Sequence, residues 1–325
     1  MKILIAPLNW GLGHASRCVP LVRRFMEEGH EVILGGDGES LTLLRRHFPK
    51  LRYVYLAPLK LRYSAGHRQV WAMLRAMPQL LRWALQDHAM LASVLKEEHI
   101  DRVISDNRFG LYSKATECIY ITHQLHIMLP KGWRWLETLA ERLHARIYTR
   151  FNKVWIPDYE DSARSLAGEM SRIPSSFHLS PFAFQYIGPL SRFGKSENPA
   201  TDIPQPYDVV AVLSGLEPHR TLLEKEILAR YQDTEERVLI VQGLMNRPNT
   251  RIRRGNITIV PYMPDGQLVP AMAGAKRIIA RSGYSTIMDL DAMGMLGKSE
   301  LIPTPGQPEQ EYLAARFAEK NAKKC

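Results

Sequence analysis

The feature that most constrains this 325-residue chain is an alternation. Short apolar runs rich in β-branched residues take turns with amphipathic stretches of helical period along its length. They are "KILIAP", "EVILGG", "LRYVYL", "DRVISD", "CIYIT" and "KVWIPD", then "DVVAVLSG", "RVLIVQG", "ITIVPY", "KRIIARSG" and "ELIPTPG". Strands separated one by one by helices pair in parallel, because a parallel neighbour needs a long crossover and the crossover helix covers the sheet. The chain is too long for one ordinary domain and sufficient for two. Between the halves, "SRFGKSENPATDIPQP" is polar, Pro-rich and without periodicity. The expected class is α/β, with a Rossmann-like domain at 1–190, a linker at 191–206 and a second Rossmann-like domain at 207–325.

Composition excludes several alternatives. With 45% hydrophobic and 23% charged residues and no repeat, the chain reads as globular. Cys18, Cys118 and Cys325 are too few and too scattered for a disulfide framework, which fits a reducing compartment. The N-terminus enters a strand directly, without the regions of a signal peptide. The longest uncharged run, 173–191, is broken by Pro174, Pro181 and Pro189 and does not read as a spanning helix. The expected location is the cytoplasm, with a peripheral position on the inner face of the cytoplasmic membrane as the second option.

The net charge of +10 is uneven: 16 Lys+Arg face 14 Asp+Glu from Tyr207 onward, which leaves +8 to residues 1–206. Two segments stand out. Residues 60–86 hold five Lys/Arg and no acid, interleaved with Trp71, Leu74, Met77, Leu80, Leu81 and Trp83. Residues 130–155 place Lys131, Arg134, Arg142, Arg146, Arg150 and Lys153 around Trp133, Trp135 and Leu136. Such segments can lie in an anionic headgroup layer, or can be ordinary core-facing helices with a solvated face.

After the first apolar run comes "LNWGLGHAS", a glycine turn containing a histidine. A turn between the first strand and its helix aims backbone N–H groups at one spot and favours negative charge there. A dinucleotide fingerprint is the obvious competitor, but the series here is Gly11, Gly13, Ser16, without the third glycine, and Asp37 is a weak stand-in for the ribose acid. His14 at a helix N-terminus suits a general base, and Asp106, ending "DRVISD", can share its sheet edge and orient it. The plainer readings are that Asp106 caps its own turn and that His14 bonds locally. His123 ends another run on that edge, where it could touch an acceptor.

In the second half, "RSGYSTIMDL" follows a strand and opens a helix, so Ser282, Gly283, Ser285 and Thr286 form a small-residue cradle for an anion, with Asp289 placed for a ribose diol. Glu309 and Gln310 in "PTPGQPEQEYLA" can read sugar hydroxyls. Asp289 and Asp291 are two apart on a helix and diverge, so no metal site is expected.

These stretches resemble the GT-B glycosyltransferases, specifically the family 28 type that includes the peptidoglycan N-acetylglucosaminyl transferase, and are similar to the broader UDP-glycosyltransferases. "WGLGHASR" resembles the N-terminal glycine loop with its histidine, and "VISD" the strand carrying the aspartate. "LSGLEPHR" resembles the phosphate-side turn, with Ser214 and Gly215 nearest the donor. "IVPYMPD" resembles the segment whose backbone meets the uracil, at Tyr262 and Met263. "RSGYSTIMDL", from Arg281, resembles the donor loop. Relative to the family, the second domain is short at its C-terminus.

The resemblance implies two Rossmann-like domains facing across a cleft, the first for acceptor and the second for donor. It implies an inverting transfer of a hexose or N-acetylhexosamine from a UDP-sugar to a hydroxyl acceptor, with a lipid-linked or cell-envelope glycan precursor as one acceptor class. No metal or other cofactor is expected, and no nucleic acid. His14 is the expected base and Asp106 its orienting partner, with Gly11, Gly13 and His123 on the acceptor side. Two other readings stay open, a nucleotide-sugar epimerase and a non-catalytic nucleotide-sugar-binding module.

Overall fold

The central strands are apolar on both faces, as strands buried under helices on each side must be. In the computed structural model, which describes residues 1–59, 69–174, 183–193, 207–215, 217–244, 247–248 and 250–322, these strands form two sheets in two compact units. The first unit lies within Met1–Arg192 and the second runs from Phe193. Most of the stretch read as linker, from residue 194 on, lies outside the described residues. Phe193, at its start, packs in the second unit's core with Val210 and Met263.

In the first unit, seven parallel strands are β1 (Lys2–Pro7), β2 (Glu31–Gly36), β3 (Tyr53–Tyr55), β4 (Arg102–Asp106), β5 (Glu117–Ile121), β6 (Lys153–Ile156) and β7 (Ala183–Tyr186), in the order β3-β2-β1-β4-β5-β6-β7. The helices are α1 (Gly13–Glu27), α2 (Gly38–His47), α3 (Gln69–Glu97) and α4 (Glu137–Tyr148). One core cluster joins Leu4, Ala6, Val103 and Tyr120 of the sheet to Leu91 of α3 and Tyr148 of α4, so these two helices cover the same sheet face. The reading of 60–86 as one basic amphipathic surface is corrected here for two of its residues. Leu80 and Trp83 are buried, and the Trp83 indole donates to the Ala57 carbonyl at 2.8 Å. The helical period turns these residues inward, while Met77, Leu81 and Leu85 on the same helix remain exposed.

The second unit has β8 (Val209–Val212), β9 (Val238–Val241), β10 (Ile252–Arg254), β11 (Ile257–Val260), β12 (Arg277–Arg281) and β13 (Ser299–Ile302), in the order β10-β11-β9-β8-β12-β13. All pairs are parallel except β10 with β11. Its helices are α5 (His219–Tyr231), α6 (Asp265–Gly274), α7 (Tyr284–Ala292) and α8 (Pro308–Ala322). Side chains alternate between two cores: Val209, Ala211, Val238 and Ile240 pack with Leu223 and Ile227 of α5, while Val210, Leu239 and Val241 pack with Leu268 and Met272 of α6. Strands β7 and β10, which the apolar pattern does not reveal, are edge strands.

The strand orders position the sites. In the first sheet, β1 feeds α1 and then β2 on one side, while its neighbour β4 leads to β5 on the other. In the second sheet, β8 leads toward β9 and its neighbour β12 toward β13. Connections diverge at such switch points and leave a crevice at the carboxyl ends of the strands, where open α/β sheets bind ligands. Among the described residues, no helix is long and apolar enough to cross a membrane.

Candidate active site

At the first switch point β1 and β4 run in register, with Pro7 opposite Asp106, so the chain leaving β1 passes directly over the Asp106 carboxylate. Gly11 turns that chain at φ +75°, a conformation a side chain disfavours, and Gly13 opens α1. One residue later His14 reaches back to Asp106, with Nδ1 2.8 Å from Oδ1. The imidazole remains partly exposed, whereas Asp106 is wholly buried.

A third residue completes the group. Arg17 lies one turn after His14 on α1 and is 1% exposed. Its Nε donates to Asp106 Oδ2 at 2.5 Å and its Nη2 donates to Oδ1. The same Nη2 lies 3.0 Å from His14 Nδ1, and Nη1 lies 3.3 Å from Nδ1 of His123. A guanidinium has only donors, so of the two groups near His14 Nδ1 the carboxylate alone can accept a proton from it. That tautomer leaves Nε2 as a lone-pair acceptor, the form a general base uses. Burial alone raises the Asp106 carboxyl, but the Arg17 charge, with His14 behind it, outweighs burial and holds it well below the usual carboxylate range.

His123, just beyond β5, is 5% exposed and lies against Arg17, so it forms the back wall of this group. Neither described thiol is a nucleophile: burial, with the Asp106 charge adding, pushes Cys18 well above its ordinary value, and burial pushes Cys118 up to about 11.

A second buried arginine fixes the far side of the turn after β4. Asn107 takes a left-handed conformation at φ 59°, which asparagine tolerates, and its amide oxygen accepts from the Tyr120 hydroxyl at 2.8 Å. Arg108 then reaches Asp87 of α3 at 2.7 and 2.9 Å and Asp37 at the start of α2 at 2.8 Å. Asp37 also accepts from Asn9 at 3.0 Å. The residue weighed as a ribose acid is thus engaged inside the unit, and the dinucleotide reading loses its acid.

Sequence reasoning missed Arg17 and Arg108. The available signal was an arginine on α1 three residues after His14, in a stretch whose period demands burial.

The second switch point gathers the donor residues named from sequence onto one sheet edge. Ser214 and Gly215 follow β8, with Gly215 at φ +95° and open space where a Cβ would stand. Tyr262 and Met263 follow β11. The Met263 side chain packs in the core beside Leu268, which leaves its backbone for any ligand. After β12, Gly283 is the N-cap of α7 and supplies no capping side chain, so the helix start, with Ser285 and Thr286 half-buried in its first turn, presents backbone donors. Asp289 is half-buried one turn further on, and Glu309 half-buried in the first turn of α8.

Three of the named side chains are turned inward. Arg281 donates to the carbonyls of Pro303 at 2.8 Å and His219 at 2.7 Å, and Ser282, wholly buried, donates to the Gln310 carbonyl at 2.8 Å. The Gln310 amide closes its own turn, accepting from the Thr304 N–H at 2.9 Å and donating to Gln307 at 2.6 Å. These three shape the loops after β12 and β13 from behind.

No family model matches the chain. Among curated proteins, an uncharacterized glycosyltransferase of Methanosarcina mazei is 22% identical over 335 residues, covering 98% of this chain and 84% of the relative. Another, of Methanosarcina acetivorans, is 24% identical over 331 residues, covering 97% and 83%. Among solved structures, the spinosyn rhamnosyltransferase SpnG complexed with thymidine diphosphate has a TM-score of 0.59 at 14% identity, over 98% of this chain and 84% of that one. An Arabidopsis thaliana protein complexed with UDP-L-rhamnose gives 0.53 at 13% identity, over 98% and 90%. MurG of Acinetobacter baumannii gives 0.50 at 11% identity, over 98% and 82%. The fold is that of the GT-B glycosyltransferases. In GT-B terms the first unit carries the histidine loop and the second the helix start at Gly283.

Proposed function

We propose that this chain is an inverting glycosyltransferase that moves a hexose or N-acetylhexosamine from a UDP-sugar to a hydroxyl acceptor without a metal ion. The observation that carries the reading is the His14–Asp106 pair at the first switch point, where a partly exposed imidazole is oriented by a wholly buried carboxylate. Binding alone needs no such pair. The names of the curated relatives and the nucleotide-containing neighbours in the GT-B fold support the same reading.

In this reading His14 Nε2 takes the acceptor hydroxyl proton as the oxygen attacks the anomeric carbon from the face opposite the nucleotide. Asp106 holds the ring by Nδ1 and balances the imidazolium as it forms. The departing diphosphate carries away the bonding pair and is stabilised by backbone donors at the start of α7, with Ser285 and Thr286 beside them and Asp289 on the ribose. The test is a thermal-shift panel of UDP- and dTDP-sugars with free UDP, followed by UDP release in the presence of hydroxyl acceptors. A ligand that binds only the folded state raises the midpoint. The reading expects UDP to stabilise the protein and chelator to leave turnover unchanged. A protein that no nucleotide stabilises, or one that requires added Mn or Mg, contradicts it.

A further inference from the structure

We infer that the exposed face of α3 and α4 in the first unit is a docking surface for an anionic lipid bilayer. On α4 and the 3-10 turn before it, Trp135, Leu139 and Leu143 follow one another at a spacing of four and are 76%, 51% and 47% exposed. Along the end of α3 described here, Met77, Leu81 and Leu85 do the same at 43%, 61% and 68%. Spacing of four places each trio in a row on one helix face. Both helices cover the same side of the sheet, because Leu91 and Tyr148 share one core cluster beneath them.

Each apolar row is accompanied by cations. Arg142 and Arg146 form the row beside Leu139 and Leu143, and Arg75 and Arg82 stand beside Leu81; all four are exposed, and among the described residues none has an ion-pair or hydrogen-bond partner. The acids of the segment face elsewhere. Glu141 bonds to His126, while Glu137 accepts from the Leu129 N–H at 3.1 Å and lies 3.6 Å from Arg134. Asp87, the first acid after the α3 row, is buried on Arg108.

This charge chooses the occupant. A second copy of the same face brings like charge against like charge, and an uncharged apolar partner leaves four guanidinium groups unmatched. A layer with anionic phosphates above an apolar interior satisfies both rows at once, with arginines at the headgroups and Trp135 and the leucines beneath them. The surface is argued independently of the proposed transferase activity, and its test uses no turnover.

The test is flotation of the full chain with vesicles of phosphatidylcholine alone or mixed with phosphatidylglycerol, at low and high salt. The expected result is binding to the anionic vesicles only, released by salt. Each arginine near the surface contributes about fivefold in partition, so R142Q/R146Q should lower it about 30-fold. L81Q/L85Q and Trp135→Ser should also weaken binding, with tryptophan-monitored unfolding confirming that each variant is folded. Equal partition to both vesicle types, binding to neither, or R142Q/R146Q and L81Q/L85Q proteins that stay folded and bind like the parent overturn the proposal. Self-association of the chain that the same substitutions abolish also overturns it and assigns the face to a second copy.

Discussion

Replacing Asp106 by Asn tests the buried group most sharply, because it removes one charge and leaves its partner. In the native chain the Arg17 guanidinium, 1% exposed, places both Nε and Nη2 on the Asp106 carboxylate, which is 0% exposed. An Asn amide has one acceptor oxygen for these donors and adds two hydrogens of its own, so Arg17 becomes a buried, uncompensated cation. Breaking a buried ion pair from one side costs about 3–5 kcal/mol. With a urea slope of about 2 kcal/mol/M, the midpoint should fall by about 1.5–2.5 M. The double variant R17M/D106N removes both charges and should recover to within about 1 kcal/mol of the parent, since apolar replacement of a buried pair is often neutral. The readout can be confined to the first unit: all six tryptophans lie at or before residue 155, so indole fluorescence reports that unit's unfolding. Turnover should not recover with stability, because an amide can hold His14 in the wrong tautomer, at a cost of up to about 10⁴-fold. An unchanged midpoint for D106N, or a double variant as unstable as the single, would show that Asp106 does not balance Arg17.

Three further outcomes follow from particular contacts. Asp289→Ala should weaken UDP binding by about 1.5–3 kcal/mol for each charge-assisted ribose bond lost, and calorimetry showing unchanged affinity would move the donor site. Burial pushes His144 down from 6.5 to about 4, so between those values the unfolded chain binds a proton that the folded chain does not. Stability of the first unit should therefore be full above about pH 6.5 and fall as pH drops toward 4, by about 3 kcal/mol at the lower end, and His144→Gln should flatten that window. Lys298 Nζ donates to the carbonyls of Met272, Ala273 and Ala275 at 2.9, 2.7 and 2.9 Å at the end of α6. Lys298→Met should lower the second unit's calorimetric transition by about 1.5–3 kcal/mol and leave the tryptophan transition in place.

Most of the fold is legible in the residues because parallel strands buried on both faces read as unbroken apolar runs. β1 and β12 show this, each followed by a small-residue turn. β10, "IRR", and β7, "AFQY", lack that signature because an edge strand is covered less and can carry charge or polarity. His14 and Asp106 are legible because their positions at strand ends are local facts. Arg17 is not, since what makes it a partner of Asp106 is a register between segments 89 residues apart. Trp83 shows the converse: hydrophobic and basic residues interleave in "QLLRWAL", and only packing against Ala57 and Arg108 determines that the indole faces inward and Leu81 outward.

The central claim, that an Asp-held imidazole in one GT-B unit activates an acceptor for a nucleotide-sugar bound by the other, is tested most directly by measuring UDP affinity and UDP release together in the parent and His14→Ala proteins. The account predicts equal calorimetric UDP affinity and a release rate about 10²- to 10⁴-fold lower in the variant. A His14→Ala protein that releases UDP at the parent rate would contradict it.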